Sequence, residues 1–110
     1  MGSIEVKELA RCLAESDSSV QLIDVREPEE IEIACLPNFT VLSLSKFNEW
    51  SATIHDRFDV GAETLVLCHH GIRSAQMCQW LETQGFTNVK NISGGIDAYS
   101  ISIDGSIPRY

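Results

Sequence analysis

The order of apolar segments predicts an α/β domain, with a central, mainly parallel sheet of about five strands and helices on both faces. Short β-rich runs alternate with segments whose apolar residues recur at helical spacing, the pattern of strands joined by crossover helices. One run, Thr64-Leu65-Val66-Leu67-Cys68, is almost wholly apolar, as expected of a central parallel strand covered on both faces. At 110 residues, 44% of them hydrophobic and 22% charged, the chain has material for one core and little for a second. We therefore expect a single domain over residues 1–110, with its core over about 4–100 and residues 101–110 as a mobile or loosely docked tail.

Each element has its own signal. Val6, Leu9, Ala10 and Leu13 share one face of a helix over residues 6–15, with Ser3 as its candidate cap. Val20 to Val25 is short, apolar and β-rich, and it runs into Arg26-Glu27-Pro28, where Pro28 opens a helix through Glu29, Glu30 and Ile31. Pro37-Asn38 marks a turn before a second strand from Phe39 to Leu44. Phe47 to Phe58 carries Trp50 and Ile54 on one helical stripe, and Asp59-Val60-Gly61 breaks it. After Cys68, the segment from Arg73 to Gln84 places Ala75, Met77, Cys78 and Leu81 on a buried stripe, with Gly85 at the position of a C-terminal cap. Val89 to Ile92 is a last strand, and Ser93-Gly94-Gly95 introduces a helix through Tyr99.

Charge and cysteine usage exclude several classes. A net charge of -8 opposes a general role on nucleic acid or on an anionic membrane, since either partner needs a basic face. No basic stretch precedes an apolar run near Met1, and no run approaches a membrane span, so the expected location is the cytoplasm. Cys12, Cys35, Cys68 and Cys78 are then expected as reduced thiols rather than a disulfide framework. Neither CxxC nor HxxxH occurs, so no metal site is expected.

The chemistry concentrates after the central strand. A parallel strand that feeds a tight, glycine-containing loop and then a helix aims backbone N–H groups at one point beside the positive helix end, which favours an anion. Cys68 ends the strand and Arg73 starts the helix, giving Cys-x4-Arg around the loop. A free thiol with a pKa of about 8.5 is only a few per cent thiolate at neutral pH, so donors that favour the anion make a better nucleophile. The competing role for Cys68 is a small apolar residue ending a buried strand. His69 and His70, being adjacent, point apart, so one can face substrate while the other faces water. Asp24 and Arg26 end the first long strand and belong at the same carboxyl edge of the sheet, where they form a supporting ion pair.

These residues resemble the rhodanese family, in which a six-residue loop from catalytic cysteine to arginine cradles an anion. Here the loop is Cys68-His69-His70-Gly71-Ile72-Arg73, followed by Ser74. Asp24-Val25-Arg26-Glu27 is similar to the family's early signature, and Gly94-Gly95 with Ala98-Tyr99 to its late one. The resemblance spans about Ile4 to Tyr99. It implies a rhodanese-like fold and a sulfurtransferase that cycles through a Cys68 persulfide without metal or organic cofactor. The implied partners are a small sulfur-containing anion or persulfide donor, and cyanide, a thiol or a protein as sulfur acceptor. Arg73 would hold either the loop or the donor's charged oxygens. The chain departs from the family at Cys35, where many members carry histidine, and at His69 and Ile72, where thiosulfate users often carry lysine or arginine. Cys35 is expected as a partly buried residue before a turn, and Cys78 as core.

Two other functions share some of these features. Phosphatases and arsenate reductases also place cysteine and arginine around an anion, but related dual-specificity phosphatases have one more intervening residue and so a wider pocket than the four residues here. A binding module that keeps the fold without its chemistry is the non-enzymatic alternative, and retention of Cys68 argues against it.

Overall fold

Alternation along β4 (Thr64–Leu67) sets the layers, because successive strand residues point to opposite faces. Val66 and Cys68 face one core, which also holds Ile23, Trp50, Ile54, Met77, Cys78 and Leu81. Leu65 and Leu67 face the other, with Leu9, Ala34, Leu36, Ile92 and Ile96. The computed structural model describes residues 1–110. Strands β1 (Gly2–Ile4), β2 (Gln21–Asp24), β3 (Thr40–Val41), β4 and β5 (Val89–Ile92) form one sheet in the order β1-β5-β4-β2-β3. Every neighbouring pair is parallel, so the predicted α/β architecture is the observed one.

Helices cover both faces. On the Leu65 side, α1 (Val6–Glu15) packs against α6 (Gly95–Ser102), and α2 (Pro28–Ile33) leads into the buried Ala34 and Leu36. On the Val66 side lie α3 (Phe47–Trp50), α4 (Ile54–Arg57) and α5 (Ile72–Thr83). Helix α5 buries Met77, Cys78 and Leu81, as its periodicity predicts. Burial of Met77 and Leu81 contributes about 1.5–3 kcal/mol each. The helix ends at Gly85 as expected: Gly85 N–H donates to the Glu82 carbonyl and Phe86 N–H to the Leu81 carbonyl, both at 3.1 Å.

Several local expectations change. Residues 2–4 form an edge strand rather than a helix cap, with Ile4 opposite Ile92, so Ser3 caps nothing and α1 starts after Glu5. The free edge of β5 supplies the hydrogen-bond partners that recruit this segment, a signal absent from Gly2 and Ser3 themselves. The strand expected from Phe39 to Leu44 pairs only at Thr40–Val41. Beyond it, the Ser43 carbonyl accepts from Trp50 Nε1 at 2.9 Å and Ser43 Oγ donates to the Arg26 carbonyl at 2.7 Å, and the chain turns into a 3-10 segment, Leu44–Lys46. The helix expected from Phe47 to Phe58 is split by a 3-10 turn at Ser51–Thr53, where Thr53 Oγ1 donates back to the Trp50 carbonyl at 2.9 Å. Trp50 and Ile54 are nevertheless both buried, and α6 continues past Tyr99 to Ser102. No helix is long and apolar enough to cross a membrane.

Candidate active site

Strand order creates the crevice. After β2 the chain crosses to β3 on one side, and after β4 it crosses to β5 on the other, so the direction of winding reverses between β2 and β4. Ligands of open α/β sheets bind at the carboxyl ends of strands at such a switch point. Asp24 lies opposite Leu67 in the ladder and Val25 N–H donates to the Leu67 carbonyl at 3.0 Å, which sets Asp24-Val25-Arg26 beside Cys68.

Cys68 is 1% exposed, yet its sulfur is not in a purely apolar setting. Its Sγ accepts the Gly71 N–H at 3.0 Å and lies 3.2 Å from Ser74 Oγ. Ser74 Oγ also lies within hydrogen-bond reach of Asn91 Oδ1, while Asn91 Nδ2 donates to the Gly71 carbonyl at 2.9 Å. A hydroxyl has one proton: it serves Asn91 when Cys68 is a thiol and the sulfur when Cys68 is a thiolate. Burial, with Glu82 acting in the same sense, pushes the Cys78 thiol up to about 12. Cys78 is a core residue, as expected, whereas Cys35 is exposed and not partly buried.

The loop is shaped by two glycines. Gly71 adopts φ +101°, and a Cβ there would lie 3.3 Å from the Gly94 nitrogen. Only glycine turns the chain this tightly and points its N–H back at the sulfur. Gly95, at φ +63°, sits where a Cβ would be 2.4 Å from the carbonyl oxygens of both Cys68 and His69. Its absence of side chain lets the first turn of α6 dock on the loop, with Ile96 N–H on the Cys68 carbonyl at 3.0 Å and Asp97 N–H on the His69 carbonyl at 3.1 Å. These bonds turn the two carbonyls away and leave the N–H groups of His69, His70, Ile72 and Arg73 without an acceptor within the chain. Unpaired N–H groups at the start of α5, beside the positive end of its dipole, are free to donate to an anion. Ile72 contributes that backbone group only, its side chain being 73% exposed.

Arg73 does not point a free guanidinium at the sulfur. It makes a two-pronged pair with Glu30, Nη1 to Oε1 at 2.6 Å and Nη2 to Oε2 at 2.9 Å. Hydrogen bonds from Arg73 hold the Glu30 carboxyl down at about 2, and Glu30 in turn raises Arg73 above the ordinary arginine range. This contact ties the start of α5 to α2. Arg26 is wholly buried against Asp24, with Nη2 to Oδ2 at 2.8 Å and Nε to Oδ1 at 3.0 Å. It also donates to the Ala34 carbonyl at 2.8 Å and to the Tyr110 hydroxyl at 3.0 Å. A buried charge so fully satisfied is scaffolding between β2, α2 and the segment after α6.

The two histidines do not point apart as expected: their rings pack with centroids 3.8 Å apart, because the tight turn at Gly71 brings both to the same side of the loop. His70 is exposed, its Nε2 3.8 Å from Asp97 Oδ2. The His69 ring lies between His70 and Tyr110, with both ring centroids at 3.8 Å, and its Nε2 is buried without a partner. Burial, reinforced by His70, lowers the His69 pKa. His69, His70 and Asp97 offer donor atoms within 4.8 Å of one another, but Asp97 already binds Arg109 Nε at 2.9 Å.

Glu30, Asn91, Asp97 and Tyr110 escaped the sequence reading. Asn91 carried the clearest signal, as a polar residue inside a strand that pairs with the buried β4. Glu30 was legible only as a helix-start residue, and its Oε1 does accept the Glu27 N–H at 3.1 Å. Residues 101–110 are docked: Ser100 Oγ donates to the Ile107 carbonyl at 2.6 Å, and Tyr110 reaches Glu30 and Arg26.

Comparison with known proteins identifies relatives. Residues 5–102 match the rhodanese-like domain family. The chain is 53% identical over 90 residues to rhodanese-like/PpiC domain-containing protein 12, chloroplastic, of Arabidopsis thaliana, covering 82% of this chain and 30% of that protein. It thus spans less than a third of that relative's length. It is 31% identical over 78 residues to the thiosulfate sulfurtransferase GlpE of Vibrio cholerae, covering 71% of this chain and 70% of that one. Among solved structures, a rhodanese-like domain protein from Staphylococcus aureus superposes with a TM-score of 0.78 at 28% identity, covering 100% of this chain and 99% of that one.

Proposed function

The chain belongs to the rhodanese-like domain family, and on that premise we propose that it is a sulfurtransferase carrying sulfane sulfur as a persulfide on Cys68. The supporting observation is the environment of one atom. Cys68 Sγ sits at the β2/β4 switch point and accepts the Gly71 N–H, with the Ser74 hydroxyl in reach, and further N–H groups of the same loop are unpaired. Donors that converge on a sulfur favour its anionic form, the reacting one.

The reaction is a double displacement. The Cys68 thiolate attacks the outer sulfur of a donor such as thiosulfate. A new S–S bond forms, the donor's S–S bond breaks, and sulfite leaves with its electron pair. A second nucleophile, which is cyanide, a thiol or a protein thiolate, then attacks the terminal persulfide sulfur and Cys68 departs as thiolate. The loop N–H groups receive negative charge at both stages, as oxyanion-hole donors do in acyl transfer. Arg73 and Glu30 keep the loop end in place. The name of the Vibrio relative supports thiosulfate as donor. A reducing compartment suits a thiol that must start free; the cytoplasm is our reading, and the chloroplast, suggested by the name of the Arabidopsis relative, is the alternative that cell fractionation separates.

The test compares wild type with Cys68→Ser after incubation with thiosulfate, by intact mass and by thiocyanate formation from cyanide. Wild type gains one sulfur atom and forms thiocyanate, and Cys68→Ser does neither. If wild type fails with thiosulfate and with a persulfide donor alike, the reading falls and a binding role for the fold takes its place.

A further inference from the structure

The segment after α6 lies beyond the residues that match the family, yet it closes over the reactive loop. The Tyr110 hydroxyl donates to Glu30 Oε2 at 2.7 Å and accepts from Arg26 Nη1 at 3.0 Å. One phenol therefore joins the Asp24–Arg26 pair to the Glu30–Arg73 pair. Its ring stacks on His69 with centroids 3.8 Å apart and planes 5° from parallel. Arg109, next to it, binds Asp97, whose own N–H holds the His69 carbonyl. Every one of these contacts ends on the loop or on a residue that fixes it.

We propose that Tyr110 is a positioning residue of the Cys68 loop: its ring fixes the imidazole of His69, the residue that follows Cys68, and its hydroxyl locks together the two ion pairs that anchor the loop. The ring-to-ring contact stands by itself, whereas the consequence for rate rests on the persulfide reading of Cys68. Stacking removes water from His69, whose Nε2 has no other partner. The charged groups facing it are His70 and Arg73 from its own loop and helix, Glu30 from α2 and Asp97 from α6. Burial and the two basic neighbours disfavour a proton there, and the two carboxylates only partly oppose them. With Tyr110 in place the His69 ring is packed between two rings and its proton is disfavoured. Without it the imidazole regains water and rotational freedom, and Glu30 and Arg26 each lose a partner.

Two variants separate ring from hydroxyl. Tyr110→Ala removes both; Tyr110→Phe keeps the stack and loses the bonds. NMR titration of the His69 ring, with thermal melts to verify folding, reads the stack without any sulfur chemistry. The His69 midpoint is expected to move up in Tyr110→Ala, which loses the stack, and to stay at its wild-type position in Tyr110→Phe, which keeps it. For sulfur transfer from thiosulfate at pH 8, kcat is expected to fall about tenfold in Tyr110→Ala and about threefold in Tyr110→Phe, with KM changed less than about twofold, as for a residue that acts through the loop. Folded variants with an unmoved His69 midpoint and unchanged kcat overturn the proposal. If wild type transfers no sulfur, the persulfide reading fails separately and the His69 midpoint alone decides the role of Tyr110. If Tyr110→Ala does not fold, Tyr110→Phe decides: a wild-type kcat in that variant overturns the role of the hydroxyl.

Discussion

Replacing Glu30 by Gln tests the ion pair that anchors the loop. Arg73 first, then the Tyr110 hydroxyl and the Glu27 N–H, lower the Glu30 carboxyl from its ordinary value of 4.5 to about 2 against the opposing effect of burial. At 1.36 kcal/mol per unit this corresponds to about 3 kcal/mol of preference for the folded, charged state. The Arg73 side chain is 34% exposed, so solvent screening reduces the usable figure to about 1–2 kcal/mol. Because the folded-state value lies below the unfolded one, the contribution is complete above about pH 5 and is lost as the pH falls toward 2. Urea unfolding followed by fluorescence of Trp50 and Trp80, which pack edge to face at 5.7 Å, measures the difference. At pH 7 Glu30→Gln is expected to be about 1–2 kcal/mol less stable than wild type, and the gap should narrow to less than about 0.5 kcal/mol by pH 2.5. A gap that is constant from pH 7 to pH 2.5 would refute the ionic account, and equal stability at pH 7 would remove the anchor altogether.

Other predictions concern the loop and the remaining thiols. Gly95→Ala forces a Cβ to 2.4 Å from two carbonyl oxygens at positive φ, and should cost about 3 kcal/mol or more in a thermal melt; a loss below about 1 kcal/mol would mean that α6 does not dock on the loop as described. Ser74→Ala removes the hydroxyl donor of Cys68 and leaves Asn91 Oδ1 unpaired, so stability should drop by about 1–2 kcal/mol and the rate of Cys68 alkylation by iodoacetamide about tenfold. An unchanged alkylation rate would take Ser74 out of the site. Cys78, buried and raised to about 12, should resist iodoacetamide at pH 8 in the native protein and react in urea, as peptide mass mapping reads; native labelling of Cys78 would contradict its place in the core.

The alternation of strands and helices was legible because it is written in local spacing. Thr64 to Cys68 reads as a central strand from its apolar run alone, and β4 is buried at every position. The same local logic failed where partners decide. Residues 2–4 became a strand only because β5 offered an edge, and the helix expected over residues 47–58 is interrupted by a 3-10 turn at Ser51–Thr53 that its apolar spacing does not signal. At the site, the sequence by itself determined the thiol, the tight turn at Gly71, the helix that follows and the Gly94-Gly95 pair, all within short stretches whose backbone geometry neighbouring residues dictate. Only the tertiary structure decided that Arg73 is held by Glu30, 43 positions away, and that Tyr110 reaches Glu30 across 80. Strand order carries the physical reason: β2 and β4 become neighbours by winding outward in opposite directions, and the charges that meet at their carboxyl ends are brought together by that crossover rather than by any spacing along the chain.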